Sequence, residues 1–154
     1  MMMTSIPLMN PITNWTSKVW KAHLTDGGQL KLTVPIYHGV RKRFMLGMNW
    51  MLTAHHTQIH TVKKSYMENI GKVIPSDMEM LKSPITIQYK VFYKNPRSDA
   101  GNIIATADKF VLDALQNYGI IEEDNVNHYV SSSWQVIDRD IDGPRIEITI
   151  KGSK

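Results

Sequence analysis

Six carboxylates fall between residues 99 and 124, namely Asp99, Asp108, Asp113, Glu122, Glu123 and Asp124, and Lys109 is the only cation among them. Two or three such oxygens are the usual means of holding Mg²⁺ while it keeps part of its water shell. The bound ion activates water and stabilises in-line displacement at phosphorus. The first 72 residues have the opposite sign, with nine Lys/Arg against Asp26 and Glu68. A basic surface around an acidic pocket suits an enzyme that binds a polyanion and needs divalent cations. Two ordinary solvated faces are the competing reading of the same charges.

The elements that must position these groups are legible from periodicity. The chain of 154 residues has the length of one compact domain. Residues 1–28 read as a lead-in, flexible or with a short helix over Asn14–Leu24, closed by Gly27-Gly28, and residues 29–154 as the domain proper. Leu30, Leu32, Val34 and Ile36 alternate as in a half-buried strand, which Pro35 assigns to an edge or shortens. Residues 53–74 place Ile59, Val62, Tyr66, Ile70 and Val73 on one helical stripe, and Pro75 ends it. Ile85, Ile87, Tyr89, Val91 and Tyr93 alternate again. A second helix is predicted from Ile103 to Tyr118, with Asn102 as N-cap and Gly119 as its stop. Val126, Val130, Trp134 and Val136 share a face of a third strand, and Ile146, Ile148 and Ile150 one of a fourth. The predicted class is α+β, a small mixed sheet with two main helices packed on it, in the order strand, helix, strand, helix, strand, strand.

Within the second helix, Ile103, Ile104, Ala107, Phe110, Val111, Ala114, Leu115 and Tyr118 form a broad apolar arc. Asp108 falls inside that arc. A carboxylate there is paired, hydrogen-bonded or bound to a cation, or else the arc is narrower and the residue sits at a wet edge.

Three stretches, Lys94-Asn95-Pro96-Arg97-Ser98-Asp99-Ala100-Gly101-Asn102, Asp108-Lys109-Phe110-Val111-Leu112-Asp113-Ala114-Leu115 and Gly119-Ile120-Ile121-Glu122-Glu123-Asp124-Asn125, resemble the core of RusA-type Holliday-junction resolvases, particularly their phage-borne relatives. Met48-Asn49-Trp50 with His55, followed by Lys63-Lys64-Ser65-Tyr66, looks like the family's entry to its first helix. The resemblance covers residues 30–151. It implies a Mg²⁺-dependent endodeoxyribonuclease, with Mn²⁺ as a substitute, that cuts branched DNA at a four-way junction as a homodimer. It further implies that Asp99 and Asp124 bind metal and that Lys109 steadies the scissile phosphate. Arg97, Asn49, Lys63 and Lys64 would contact DNA. Gly101 stands where many members carry a second Asp, and Asp108 is the residue expected to supply the missing carboxylate. The alternative is a non-catalytic nucleic-acid-binding protein that keeps the fold.

Other features narrow the classes. With no cysteine there is neither a disulfide framework nor a thiolate zinc site. No apolar run reaches bilayer-spanning length and no secretory leader is evident, so a cytoplasmic protein without membrane partners is expected. His55, His56 and His60 lack the Glu of a His-Glu-x-x-His zinc frame. Asp138-Arg139-Asp140-Ile141-Asp142-Gly143 opens like a calcium loop, but Thr149 occupies its twelfth position, so a turn is expected. Trp50 and Trp134 read as core residues, and the strands lack the paired exposed aromatics of a sheet that binds single-stranded RNA.

Overall fold

The computed structural model describes residues 19–38, 44–45, 47–97, 99–123 and 129–153. Side chains two apart leave the same face of a pleated chain, so the alternating segments become strands with one apolar face. Strands β1 (Lys21–Leu24) and β2 (Leu30–Pro35) form a hairpin. Its turn needs Gly28, whose φ is +81°, and is closed by Thr25 and Gln29, the Thr25 N–H donating to the Gln29 carbonyl at 2.9 Å. Strands β3 (Tyr37–His38) and β4 (Phe44–Met45) make a separate small ribbon. There follow α1 (Met48–Thr53), α2 (His56–Val73), β5 (Ile85–Tyr93), α3 (Ala100–Asn117), β6 (Tyr129–Arg139) and β7 (Arg145–Lys151).

Five strands join in one mixed sheet of order β1-β2-β7-β5-β6, in which β5 and β6 are parallel and the other pairs antiparallel. The fold is α+β. The expected order of strand, helix, strand, helix, strand, strand is realised by β2, α2, β5, α3, β6 and β7, to which the structure adds β1, the ribbon and α1. The apolar stripe of α2 buries Val62, Tyr66 and Ile70. Each such side chain contributes roughly 1.5–3 kcal/mol when fully removed from water. Helix α3 buries the predicted arc from Ile103 to Leu115 against the same sheet face. Gly119 ends it with φ +72°. Just before it, Tyr118 lays its ring over Gly71 of α2 and donates to the Met67 carbonyl at 2.7 Å; a Cβ at residue 71 would collide with the phenol. Among the described residues no helix is long and apolar enough to cross a membrane.

Four expectations change. The helix placed over Asn14–Leu24 stops before Lys21: Val19 is helical, but Lys21–Leu24 is β1, because Ala22 and Leu24 pair with Leu32 and Leu30. The boundary at Gly28 therefore falls inside a hairpin; the rest of the lead-in, before residue 19, lies outside the described residues. Of the two readings of Pro35, the shortened strand holds and the edge strand does not, since β2 lies between β1 and β7. Pro35 is the last residue of β2, beyond Thr33, where pairing with β1 stops. Helix α3 begins three residues early because Asp99, and not Asn102, caps it. Trp134 and Val136 are no part of the core: at the sheet's edge they remain 50% and 49% exposed.

Beneath α2, the Tyr66 ring meets Trp20 edge-on (centroids 5.0 Å apart), stacks on His38 (5.3 Å) and tilts against Phe110 (5.3 Å). Burial drives the Tyr66 phenol well above its ordinary range. It also lowers the His38 imidazole to about 4, against the opposing pull of a hydrogen bond with the Pro35 backbone.

Candidate nucleic-acid and metal site

Residues 94–99 connect the end of β5 to the start of α3. Asn95 shapes this connection by accepting a 3.0 Å hydrogen bond from the Arg97 N–H, and Asp99 caps α3 by accepting one from the Asn102 N–H at 3.2 Å. Lys94, Arg97 and Asp99 are all exposed. The ends of β5 and β6 are tied here by Arg139 Nε to the Lys94 carbonyl (2.8 Å) and Asp140 N–H to the Tyr93 carbonyl (2.7 Å). Beside Asp99, a cleft of ≈ 210 Å³ opens between Val91, Tyr93, Pro96, Ala100, Ile103 and Val136. An exposed carboxylate, two cations and the amide-rich start of a helix thus share one end of the sheet, an arrangement suited to phosphate.

Asp108 has a different role. Tyr89, fully buried in the middle of β5, donates its hydroxyl to Asp108 Oδ1. This accounts for a carboxylate on the apolar side of α3, because the buried phenol requires an acceptor and the half-buried Asp108 provides it. It also corrects the ligand assignment. Nine residues of helix separate Asp99 from Asp108, roughly 13 Å along the axis, whereas Mg²⁺ ligands lie about 2.1 Å from the ion. Asp108 cannot share an ion with Asp99 and does not replace the carboxylate absent at Gly101. Lys109 is exposed and one residue further along α3, roughly 15 Å from Asp99 along the axis. Asp124 lies outside the described residues.

Lys63 pairs with Asp113 of α3 at 3.6 Å and Lys64 with Glu68 at 3.8 Å. Such exposed pairs contribute about 0–1 kcal/mol and exchange readily for phosphate. Asn49 is the second residue of α1. Glu122 and Glu123 are exposed and follow the C-terminal end of α3, the end opposite Asp99. Among the described residues no three His or acidic side chains gather as a metal-binding group. The calcium-like segment is a turn, as expected: Asp140 accepts from the Gly143 N–H (3.0 Å) and from Arg145 Nη1 (2.8 Å). The Arg145 hydrogen bond is the main cause holding the Asp140 carboxyl below its usual range.

The Tyr89–Asp108 pair was open to sequence reading, since Tyr89 alternates inward with Val91 while Asp108 interrupts an apolar arc. Sequence reasoning treated the two separately. Replacing Tyr89 with Phe removes the donor and is expected to cost about 1–3 kcal/mol in urea unfolding, while Asp108→Asn, which keeps an acceptor, costs less. If Asp108 were a metal ligand, Asp108→Asn would instead abolish metal-dependent cleavage at unchanged stability.

No family model matches the chain, and none of the curated proteins compared with it matches either.

Proposed function

We propose that this protein is a Mg²⁺-dependent endodeoxyribonuclease acting on branched DNA as a two-fold dimer. The observation that carries the reading is the exposed Asp99 at the start of α3, beside Lys94 and Arg97, in the residue order that resembles the RusA-type core. A divalent cation held there, with Mn²⁺ as a substitute, would supply activated water and charge compensation at phosphorus. At that end the described residues of one chain offer it Asp99, with Asp138 and Asp140 at the end of β6 and Asp140 already held by Arg145. Further oxygens would come from Asp124 or from a second copy.

Two features support a second copy. Among the described residues β6 is an edge of the sheet; Tyr129–Ile137 carries no charge, and Trp134, Val136 and Ile137 are exposed. Long uncharged edges without Lys or Pro are the ones that pair with another strand. A two-fold axis beside β6 reverses the partner strand, so the Asp99 end of one copy meets the Glu122-Glu123 end of the other. Symmetric cutting of a four-way junction also needs two equivalent sites.

The second reading, a nucleic-acid binder of the same fold without cleavage, is favoured by one observation: Asp108 is engaged by Tyr89 and both it and Lys109 are far along α3 from Asp99. Incubating the protein with a synthetic four-way junction in Mg²⁺, Mn²⁺ or chelator separates the two. Paired symmetric nicks in either metal, lost on Asp124→Asn, are expected. Binding without nicks in both metals would establish the second reading instead.

A further inference from the structure

Both long helices pack on one face of the sheet. The other face is built from the alternate residues of each strand and is polar except for Pro35, Phe92 and Ile137 near one end. Cross-strand register sets these residues in rows. His23, Lys31, Thr149, Gln88 and Ser133 form one row, and Lys21, Thr33, Glu147, Lys90 and Gln135 the next. Lys151 lies beyond the first row, and Arg145 and Asp138 flank Phe92 beyond the second. The face therefore presents Lys21, Lys31, Lys90, Lys151 and Arg145 against two strand carboxylates, Glu147 and Asp138.

Arg145 holds two carboxylates, Glu147 through Nε at 2.9 Å and Asp140 of the β6–β7 turn through Nη1 at 2.8 Å, and Asp142 of that turn borders the face beside Lys21. Although Lys90 stands directly opposite Glu147 in register, neither it nor Lys21, Lys31 or Lys151 forms an ion pair with a described carboxylate. Four ammonium groups remain, spaced roughly 8–14 Å apart on a sheet about 20 Å wide, from strand separations of ~4.8 Å and a rise of ~3.3 Å per residue. That is too broad for a mononucleotide and matches a polymer with regularly spaced negative charge. Of the two rings on the face, Phe92 is covered by the Arg145 guanidinium at 3.9 Å, which leaves His23 of β1 as a single ring and no run of rings for the successive bases of a single strand to stack on.

We propose that this open face of the sheet is a second DNA-binding surface, one that holds the phosphate backbone of a duplex independently of sequence. It lies on the opposite side of the sheet from α3, so it engages a different stretch of DNA from the one at Asp99, such as a second arm of a branched substrate. The proposal needs nucleic acid as partner but not cleavage, and it survives if the protein proves to be a non-catalytic binder.

The test is fluorescence anisotropy in chelator, across a salt series, with a random-sequence duplex of about 20 base pairs and with one of its strands alone. The Lys31→Gln/Lys90→Gln variant changes two surface side chains on the face. Lys72→Glu makes the same change in net charge on α2, which packs on the opposite face of the sheet. For the first variant we expect at least a tenfold loss of duplex affinity and a fall of about 2 in the slope of log K against log salt, since each phosphate contact contributes about 0.9. The second variant should move the slope by less than about half a unit. Equal losses in both variants would reduce the effect to net charge and overturn the proposal. So would wild-type duplex binding by the first variant, or a loss confined to the single strand. Cleavage plays no part in the readout, so a failure here and a failure of the nuclease reading are distinguishable.

Discussion

Replacing Asp99 with serine is expected to leave the melting temperature nearly unchanged while lowering Mg²⁺-dependent cleavage of a four-way junction by at least about 100-fold. The two effects separate because Asp99 has two roles. Its Oδ1 caps α3 through the Asn102 N–H, and serine caps about as well as aspartate. Only the negative charge is lost, worth a few tenths of a kcal/mol to the helix terminus at an exposed site. Asp99→Ala would remove the cap as well and lower stability by about 1 kcal/mol, which measures the structural part by itself. Full cleavage by the serine variant would remove Asp99 from the chemistry and place the site elsewhere in the chain. Gly101 makes the complementary test sterically accessible: a Cβ there would lie 3.5 Å from Asp99 Oδ1, an ordinary contact. A carboxylate introduced as Gly101→Asp would stand next to the first one, where the family pattern has its pair.

The second large effect is on stability and follows pH. His38 is buried among Trp20 and Tyr66, and its pKa is lowered from 6.5 to about 4. Between those two values the unfolded chain binds a proton that the folded chain does not, so stability rises with pH across that window. The contribution is complete above pH 6.5, shrinks as the pH falls and is gone below about 4, a change of about 3 kcal/mol. Urea unfolding at pH 7 and pH 4.5 measures it. His38→Gln, which retains an N–H for the Pro35 carbonyl but does not titrate, should flatten the difference between the two pH values. Identical pH dependence in the variant and the parent would mean that His38 is not the group responsible.

Most of the fold was legible because burial imposes a period. Ile85 to Tyr93 alternate, the α2 stripe recurs every three to four residues, and both patterns survive folding with their inward residues unchanged. The β1 hairpin was missed because Ala22 and Leu24 are too few to establish alternation; only the pairing with Leu32 and Leu30 makes them a strand. Trp134 misled for a related reason. Its phase is that of an inward residue, opposite Tyr89, but phase says nothing about whether a helix reaches the edge of the sheet. The site was legible as composition more than as geometry. Asp99, Asp108 and Lys109 are close in sequence, and a straight helix then sets them apart at 1.5 Å per residue. Nothing in linear order says that Lys31, Lys90 and Lys151 share a surface; their strands bring them together only in the sheet.

Strand β6 has a further consequence, which is thermodynamic. Like β1 it has a single hydrogen-bonded neighbour among the described residues, and its side chains from Ser132 to Arg139 are exposed on both faces, so little besides β5 secures it. If a second copy completes the sheet along that edge, the persistence of β6 becomes a function of protein concentration. Dilution would then loosen the strand and separate the two ends that the dimer brings together, so that abundance in the cell would itself set how much of the protein is competent.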